Sequence, residues 1–490
     1  MKTAIVIGSG FSGLSAATHL ANSGLKVTVL EKNDSLGGRA RIFKEKGFTF
    51  DMGPSWYWMP DVFERYFNNF GKSASDYYEL VRLDPSYKVV FGSSDAIDIP
   101  ANYELFKEMV ETIEIGAGNN LDKFLEQAAY KYEQGINNLV QKPSRSITEF
   151  INLKLLFDVI RMDIFMSYEK HIKKFFHHDK ILRLMEFPIL FLGAIAKNTP
   201  ALYSLMNYAD IKLGTWYPMG GMNKIIEGMV DLAMEKGVTF KTDQEVRKFE
   251  FEDKSIRTVH TQTASYSADM VIASADYHHI DNKLLTPQFQ NYDEDYWNKK
   301  IFAPSAVIFY LGVNKKIKNL NHHNLFFDAD FEAHVEEIYT NPEWPEKPLF
   351  YACAPSKTDP SVAPEGMENL FILIPVAAGI KETDQIKTEY FDQVIERMEK
   401  YTGDQIKDHI IYKRSFTRKD FIKEYNSFKG NAYGLANTLR QTAILKPSIK
   451  NRKLTNLYYT GQLTVPGPGV PPSLISGEVV AREVVKDLVH

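Results

Sequence analysis

The sequence predicts an α/β protein organised around its N-terminus, and three observations carry that prediction. Ala4-Ile5-Val6-Ile7 is a short, apolar, β-rich run of the kind buried on both faces of a parallel sheet. It leads straight into Gly8-Ser9-Gly10-Phe11-Ser12-Gly13, after which Ala16, Ala17 and Leu20 mark the small apolar face of a helix that stops near Gly24. Val27 to Leu30 reads as a second buried strand ending at Glu31, about twenty residues beyond the glycines, where an acid accepts bonds from a ribose diol.

Each part of this βαβ unit has a physical task. Gly8 allows the tight turn, Gly10 lets backbone N–H groups approach a pyrophosphate, and Gly13 lets the helix pack on the strand with its N-terminus toward the anion. Glu31 argues against a 2′-phosphate and so against NADP. A glycine motif alone is weak evidence, but here strand, helix, second strand and acid stand in register. The candidate contacts are Gly8, Ser9, Gly10, Phe11, Ser12, Gly13, Glu31 and Lys32.

The residues beyond Glu31 distinguish FAD from NAD. Gly37-Gly38-Arg39, a second glycine pair with an arginine, resembles the extended FAD signature of the amine oxidase and phytoene desaturase superfamily. Gly47-Phe48-Thr49-Phe50-Asp51-Met52-Gly53-Pro54-Ser55 resembles the next block of that superfamily. The resemblance implies that Gly38 and Arg39 meet the pyrophosphate of FAD and that the backbone of Gly53, Pro54 and Ser55 runs beside the flavin. On these blocks the chain is similar to bacterial-type carotenoid (phytoene) desaturases. The implied architecture is a Rossmann-like FAD-binding domain with an inserted α+β substrate domain and a helical region facing a membrane. The expected segments are 1–90, 213–290 and 426–490 for the FAD-binding domain, and 91–212 and 291–425 for the substrate domain.

Composition bounds the rest. A chain of 490 residues with 44% apolar content can bury a large core and form two or three domains. A net charge of −4 supplies no global field toward nucleic acid. The one cysteine, Cys353, excludes an intrachain disulfide and a multi-thiolate metal site, and it suits a reducing cytoplasm. The first strand begins almost at Met1, which leaves no space for a signal peptide, and no stretch reaches the ~18 apolar residues of a spanning helix.

Along the chain, Glu104 to Ile115 and Leu121 to Val140 have helical spacing, and Ser146 to Asp210 reads as mostly helical. Within it, the basic stretch Lys170 to Arg183 precedes the apolar run Phe187 to Ala196. Two readings stand: a solvated basic helix beside a core helix, or an interfacial segment with lysines for lipid phosphates. A substrate dissolved in lipid favours the second. His177 and His178 are adjacent on a helix and point apart, so no metal is built from them.

Gly214-Thr215-Trp216-Tyr217-Pro218-Met219-Gly220-Gly221-Met222 is similar to the superfamily's central block at the junction of flavin and substrate, followed by a helix from Asn223 to Lys236. Short strands come next at 237–240 and 244–246, and the resemblance implies a backbone pair at Val246 for the adenine. Val271 to Asp276 closes that lobe. Ala306 to Val313, with a hint of alternation, and the continuous run Leu370 to Val376 predict a sheet with one face toward a pocket. Helices are expected at Glu332 to Ile338 and Lys387 to Tyr401. His322 and His323, with scattered carboxylates nearby, are read as ordinary polar groups and not as ligands.

Asn456 to Gln462 reads as a strand ending in Gly461, followed by Pro466-Gly467-Pro468-Gly469-Val470-Pro471 and a helix from Ser473. This resembles the C-terminal flavin block of phytoene desaturases and implies contacts from Gly461, Gln462, Gly469, Val470 and Pro471. The helix N-terminus there would stabilise negative charge on the reduced ring. Amine oxidases usually carry an aromatic cage in this block; prolines and glycines stand here, which favours a polyene over an amine.

The implied chemistry is set by the substrate. A carotenoid has no acidic hydrogen, so hydride leaves first to flavin N5, and the resulting allylic cation then loses a proton. The resemblance loosely assigns the acidic groups to Glu149 and Glu336, although Asn152 stands where an arginine partner is expected. No second glycine motif occurs after a strand, so oxygen or a membrane quinone is the expected electron acceptor. The expected substrate is phytoene or a later intermediate, including a 1′-hydroxycarotenoid for 3,4-desaturation. The expected location is cytoplasmic, peripheral to the inner face of the cell membrane. A polyene isomerase or saturase on the same scaffold, and a flavin amine oxidase, are the alternatives.

Overall fold

The structure is a computed structural model that describes residues 1–146, 149, 163–164, 166–190, 195–438 and 440–489. Two sheets organise it. The first has five parallel strands in the order Leu457–Tyr459, Met270–Ala273, Thr3–Ile7, Lys26–Leu30, Thr239–Lys241. Its central strand is buried from Ala4 to Ile7, as the continuous apolar run requires.

The helix Phe11–Asn22 crosses from the first strand to Lys26–Leu30 and packs against the C-terminal helix Val470–Val489. Small residues make this approach possible. A Cβ on Gly13 would lie 2.1 Å from the Gly8 carbonyl oxygen, and one on Gly477 would lie 2.3 Å from that of Ser12. The C-terminal helix begins at Val470, before the expected Ser473, because Pro471 and Pro472 fit a first turn whose N–H groups have no intrahelical partner.

The second sheet has seven strands in the order Ile410–Phe416, Ser305–Val313, Glu368–Val376, Phe350–Cys353, His323–Phe326, Tyr87–Gly92, Asp95–Ile99. All neighbours are antiparallel except His323–Phe326 with Tyr87–Gly92. The chain already enters this sheet at Tyr87, ahead of the boundary expected after residue 90.

Alternation along Ser305–Val313 sorts the sheet's two faces. Val307, Phe309, Leu311 and Val313 pack with Tyr390, Phe391, Val394, Ile395 and Met398 of the helix Asp384–Thr402. Ala306 and Ile308, from the other face, line a cavity.

Among the described residues no helix is long and apolar enough to cross a membrane. Of the apolar run Phe187 to Ala196, Phe187 and Ile189 are buried in the helix Asp179–Leu190, and Phe187 and Leu190 line the cavity. Residues 191–194 lie outside the described residues. Phe187, Ile189 and Leu190 thus face inward and Ile195 and Ala196 are half-buried, while Lys170, Lys173 and Lys174 are exposed on the preceding turn.

Candidate flavin and substrate site

One cavity of about 480 Å³ runs from the glycine loop to the inner face of the seven-stranded sheet. All but one of the residues expected at the cofactor line it: Gly8, Ser9, Gly10, Phe11, Ser12, Glu31, Lys32, Gly38, Arg39, Gly53, Pro54, Ser55, Val246, Gly461, Gln462, Gly469, Val470 and Pro471; Gly13 stands directly behind as the helix contact.

Three observations test whether these residues fit FAD. First, Gly10 caps the helix without a side-chain hydrogen bond, and a Cβ built on it would meet nothing within 4 Å. The first-turn N–H groups therefore stand behind open space, as an anion cradle requires. Second, the Arg39 Nε is buried without a hydrogen-bond partner among the described residues, and Nη2 is 3.4 Å from Ser427 Oγ. Burial pulls its pKa downward, so an anion brought beside it would complete it. Third, the C-terminal helix presents its N-terminus to the cavity at Val470 to Ser473, where its dipole favours negative charge. The residues fit a dinucleotide with a charged bridge and an electron-accepting ring.

Glu31 is more constrained than the motif suggests. Oε2 accepts from the Ser9 N–H at 2.9 Å and from Ser9 Oγ at 2.6 Å, while Oε1 accepts from Asn33 N and Nδ2, both at 3.0 Å. A carboxylate has about four acceptor positions. A ribose diol would have to displace the Asn33 amide, which is the movable partner. Lys32 bonds to the Lys423 carbonyl and lies 3.8 Å from Glu245.

The opposite half of the cavity is apolar, with Trp56, Trp58, Phe187, Leu190, Leu205, Ile308, Leu325 and Leu373 in its wall. Asp51 ties this wall to the helix Asn223–Glu235 by accepting from Met222 N at 2.9 Å and Asn223 N at 3.1 Å. Burial pushes its pKa to about 7.

The two acids assigned by resemblance lie away from the described cavity lining. Glu149 is spent on a turn: its carboxylate accepts from the N–H groups of Ser144 at 2.9 Å, Arg145 at 2.9 Å and Ser146 at 3.0 Å. Glu336 is exposed on the helix Phe331–Tyr339 and accepts from Asn341 Nδ2 at 2.9 Å. Neither lines the cavity.

The strand pairing also assembles a group that one-dimensional spacing hides. His323 lies directly opposite Cys353, and His322, His323 and Cys353 bring potential ligand atoms within 4.8 Å of one another, all buried. Each imidazole Nδ1 has a hydroxyl partner, Thr358 Oγ1 at 2.8 Å for His322 and Tyr351 Oη at 2.7 Å for His323. Burial holds the His322 pKa down to about 3 and that of His323 well below 6.5, and it pushes the Cys353 thiol up to about 12. The only sequence signal was the His pair beside a β-run; its partner is about thirty residues away and becomes a neighbour only by antiparallel pairing.

Comparison with known proteins fits this geometry. A family model described as flavin containing amine oxidoreductase matches residues 11–485. The carotenoid 3,4-desaturase of Haloarcula japonica is 41% identical over 486 residues, covering 99% of this chain and 98% of that protein. The 4,4′-diapophytoene desaturase (4,4′-diaponeurosporene-forming) of Staphylococcus aureus is 31% identical over 512 residues, covering 100% of this chain and 99% of that one. Among solved structures, an oxidoreductase from Methanosarcina mazei aligns with a TM-score of 0.62 at 16% identity, covering 99% of this chain and 100% of that one. Putrescine oxidase bound to putrescine aligns at 0.60 and 12%, covering 99% of each chain. At such identities the structural likeness speaks for the fold alone. With an intact nucleotide cradle and matches over the whole chain, the protein belongs to the flavin containing amine oxidoreductase family, on its carotenoid desaturase branch, and is an FAD-dependent oxidoreductase.

Proposed function

We propose that the protein inserts carbon–carbon double bonds into a carotenoid chain, either phytoene or a later intermediate, with 3,4-desaturation of a 1′-hydroxycarotenoid as the finer possibility. The observation that carries this reading is the form of the cavity, in which a charged, hydrogen-bonding half for the nucleotide continues into a wall of aromatic and branched side chains. The two similar desaturases support it.

When bound, FAD supplies the hydride acceptor, and the chain's own residues do the rest. The glycine-loop helix and Arg39 hold the cofactor's anionic bridge. Trp56, Trp58, Phe187 and Leu190 orient the polyene by shape and keep water from a developing cation. A carotenoid is insoluble in water, which supports collection from a membrane surface; peripheral association with the inner face of the cell membrane, and oxygen or a quinone as final electron acceptor, complete the proposal.

Expression in carotenoid-producing bacterial hosts stocked with different polyenes tests the reading. The expected result is a red-shifted pigment in one host, since each added conjugated bond lowers the absorption energy. An FAD-loaded protein that leaves every pigment unchanged would overturn it, and peroxide formation from amines would point to an amine oxidase instead.

A further inference from the structure

On the desaturase reading, loss of hydride from a polyene leaves a cation that must shed a proton, and a group at the cavity wall has to take it. Among the described residues the carboxylates lining the cavity are committed to its nucleotide half. Glu31 is bonded to Ser9 and Asn33, Glu245 lies beside Lys32, Glu424 binds Arg41 at 2.8 Å, and Asp276 caps His279. Glu149 and Glu336 do not reach the cavity at all.

Among the described residues several polar side chains interrupt the cavity wall, His334, Tyr339 and Tyr433 among them, and one group is joined by hydrogen bonds to a second buried imidazole. Ser55 and Tyr351 both line the cavity, with Tyr351 Oη 3.0 Å from Ser55 Oγ and 2.7 Å from His323 Nδ1. His323 is fully buried and lies flat against Trp56, with ring centroids 4.1 Å apart and planes 11° from parallel. Its Nε2 has no hydrogen-bond partner among the described residues. Behind it stands His322, whose ring centroid is 4.4 Å away. A buried hydroxyl and imidazole cost stability in such surroundings, and simple packing of this wall does not call for them. The ring is held neutral by burial, and in its Nε2–H tautomer the lone pair lies on Nδ1, facing a Tyr351 hydroxyl that donates to Ser55 Oγ at rest and turns to Nδ1 when it gives up its proton.

We propose that Tyr351 is the catalytic group that receives the proton from the oxidised polyene and that His323 is the positioning residue that accepts the proton Tyr351 gives up. The C–H bond beside the cationic carbon breaks and its electron pair becomes the new π bond. The proton goes to Tyr351 Oη while the phenolic proton moves to His323 Nδ1. One positive charge thereby passes from carbon to imidazole, and it leaves as a proton to solvent before the next turnover. A neutral imidazole held down by burial is a weak base, but an allylic cation is a much stronger acid than its imidazolium.

The test uses FAD-loaded enzyme, wild type and Tyr351→Phe, with a polyene deuterated at the carbon that loses the proton. Flavin content serves as the folding control. Tyr351→Phe is expected to lower turnover by about 10²-fold, to develop an isotope effect at that carbon that the wild type lacks, and to release hydrated or E/Z-isomerised polyene from the longer-lived cation. His323→Gln is expected to give the same two signatures more weakly, and it carries the test if Tyr351→Phe loses flavin. Wild-type products with no isotope effect in both variants would overturn the proposal while leaving the desaturase reading intact. A wild-type holoenzyme that leaves the polyene unchanged would overturn that reading first, and the proposal with it.

Discussion

The two sheets solve opposite problems. The five-stranded parallel sheet must bring backbone N–H groups to an anion, and it does so with local sequence: strand, glycine turn and helix are consecutive from Thr3 to Asn22. Its tolerances are steric and absolute, as the 2.1 Å separation at Gly13 shows. The seven-stranded sheet must present a broad apolar face to a greasy chain. It is assembled from strands scattered between residues 87 and 416, and its tolerances are those of packing, where a cavity or a shifted rotamer is survivable. Substitutions in the first region should therefore remove the cofactor, whereas those in the second should remove stability or selectivity and leave the cofactor bound.

The largest expected effect breaks the first region. In Gly13→Ala the new Cβ has backbone on its far side and cannot be relieved by a rotamer change, so the helix must leave the strand. The purified variant is expected to be colourless and to stay so after incubation with FAD, as read by flavin absorbance. Retention of stoichiometric flavin would mean that the cradle is looser than its geometry.

The matched change in the second region is Ile374→Ala. Ile374 is fully buried against the helix Asp384–Thr402, away from the cavity. A loss of about 2–5 kcal/mol is expected in denaturant unfolding, with flavin content and product pattern unchanged. Simultaneous flavin loss would show that the two regions unfold as one unit.

The smallest effect sharpens the comparison by pH. Asp210 is buried in the helical part of the second region, accepts from Tyr87 Oη at 2.8 Å, and has its pKa pushed by burial to about 7 from 3.8. Between those values the unfolded chain has released this proton while the folded chain holds it. The group's contribution to stability is therefore full at the acid end, declines as pH rises from about 4 to about 7, and is level above that. Asp210→Asn cannot titrate, so melting temperatures at pH 5 and 7.5 should differ less in the variant than in wild type. The difference should correspond to about 1–2 kcal/mol, since each pH unit carries at most ~1.4 kcal/mol.

The contrast between the regions also explains what could be read in advance. The nucleotide grip was legible because every element of it is a neighbour in sequence, and the alternation of Ser305–Val313 announced a sheet with one face toward a pocket. The places of Glu149 and Glu336, in a turn and on an exposed helix, were not legible because a carboxylate there has the same composition as one aimed at a substrate. The Phe187 to Ala196 run was ambiguous for a related reason: hydropathy reports that side chains avoid water, and not whether protein or lipid covers them.

By itself, the sequence determined the βαβ unit, its glycines and its acid, because turn geometry and the close approach of helix to strand are set within a few residues. Only the tertiary structure decided which polar groups meet at the apolar wall. Tyr351, His323 and Ser55 come together through strand pairing and loop packing across hundreds of residues. No local preference encodes those contacts; they arise from the register that buries the most apolar surface.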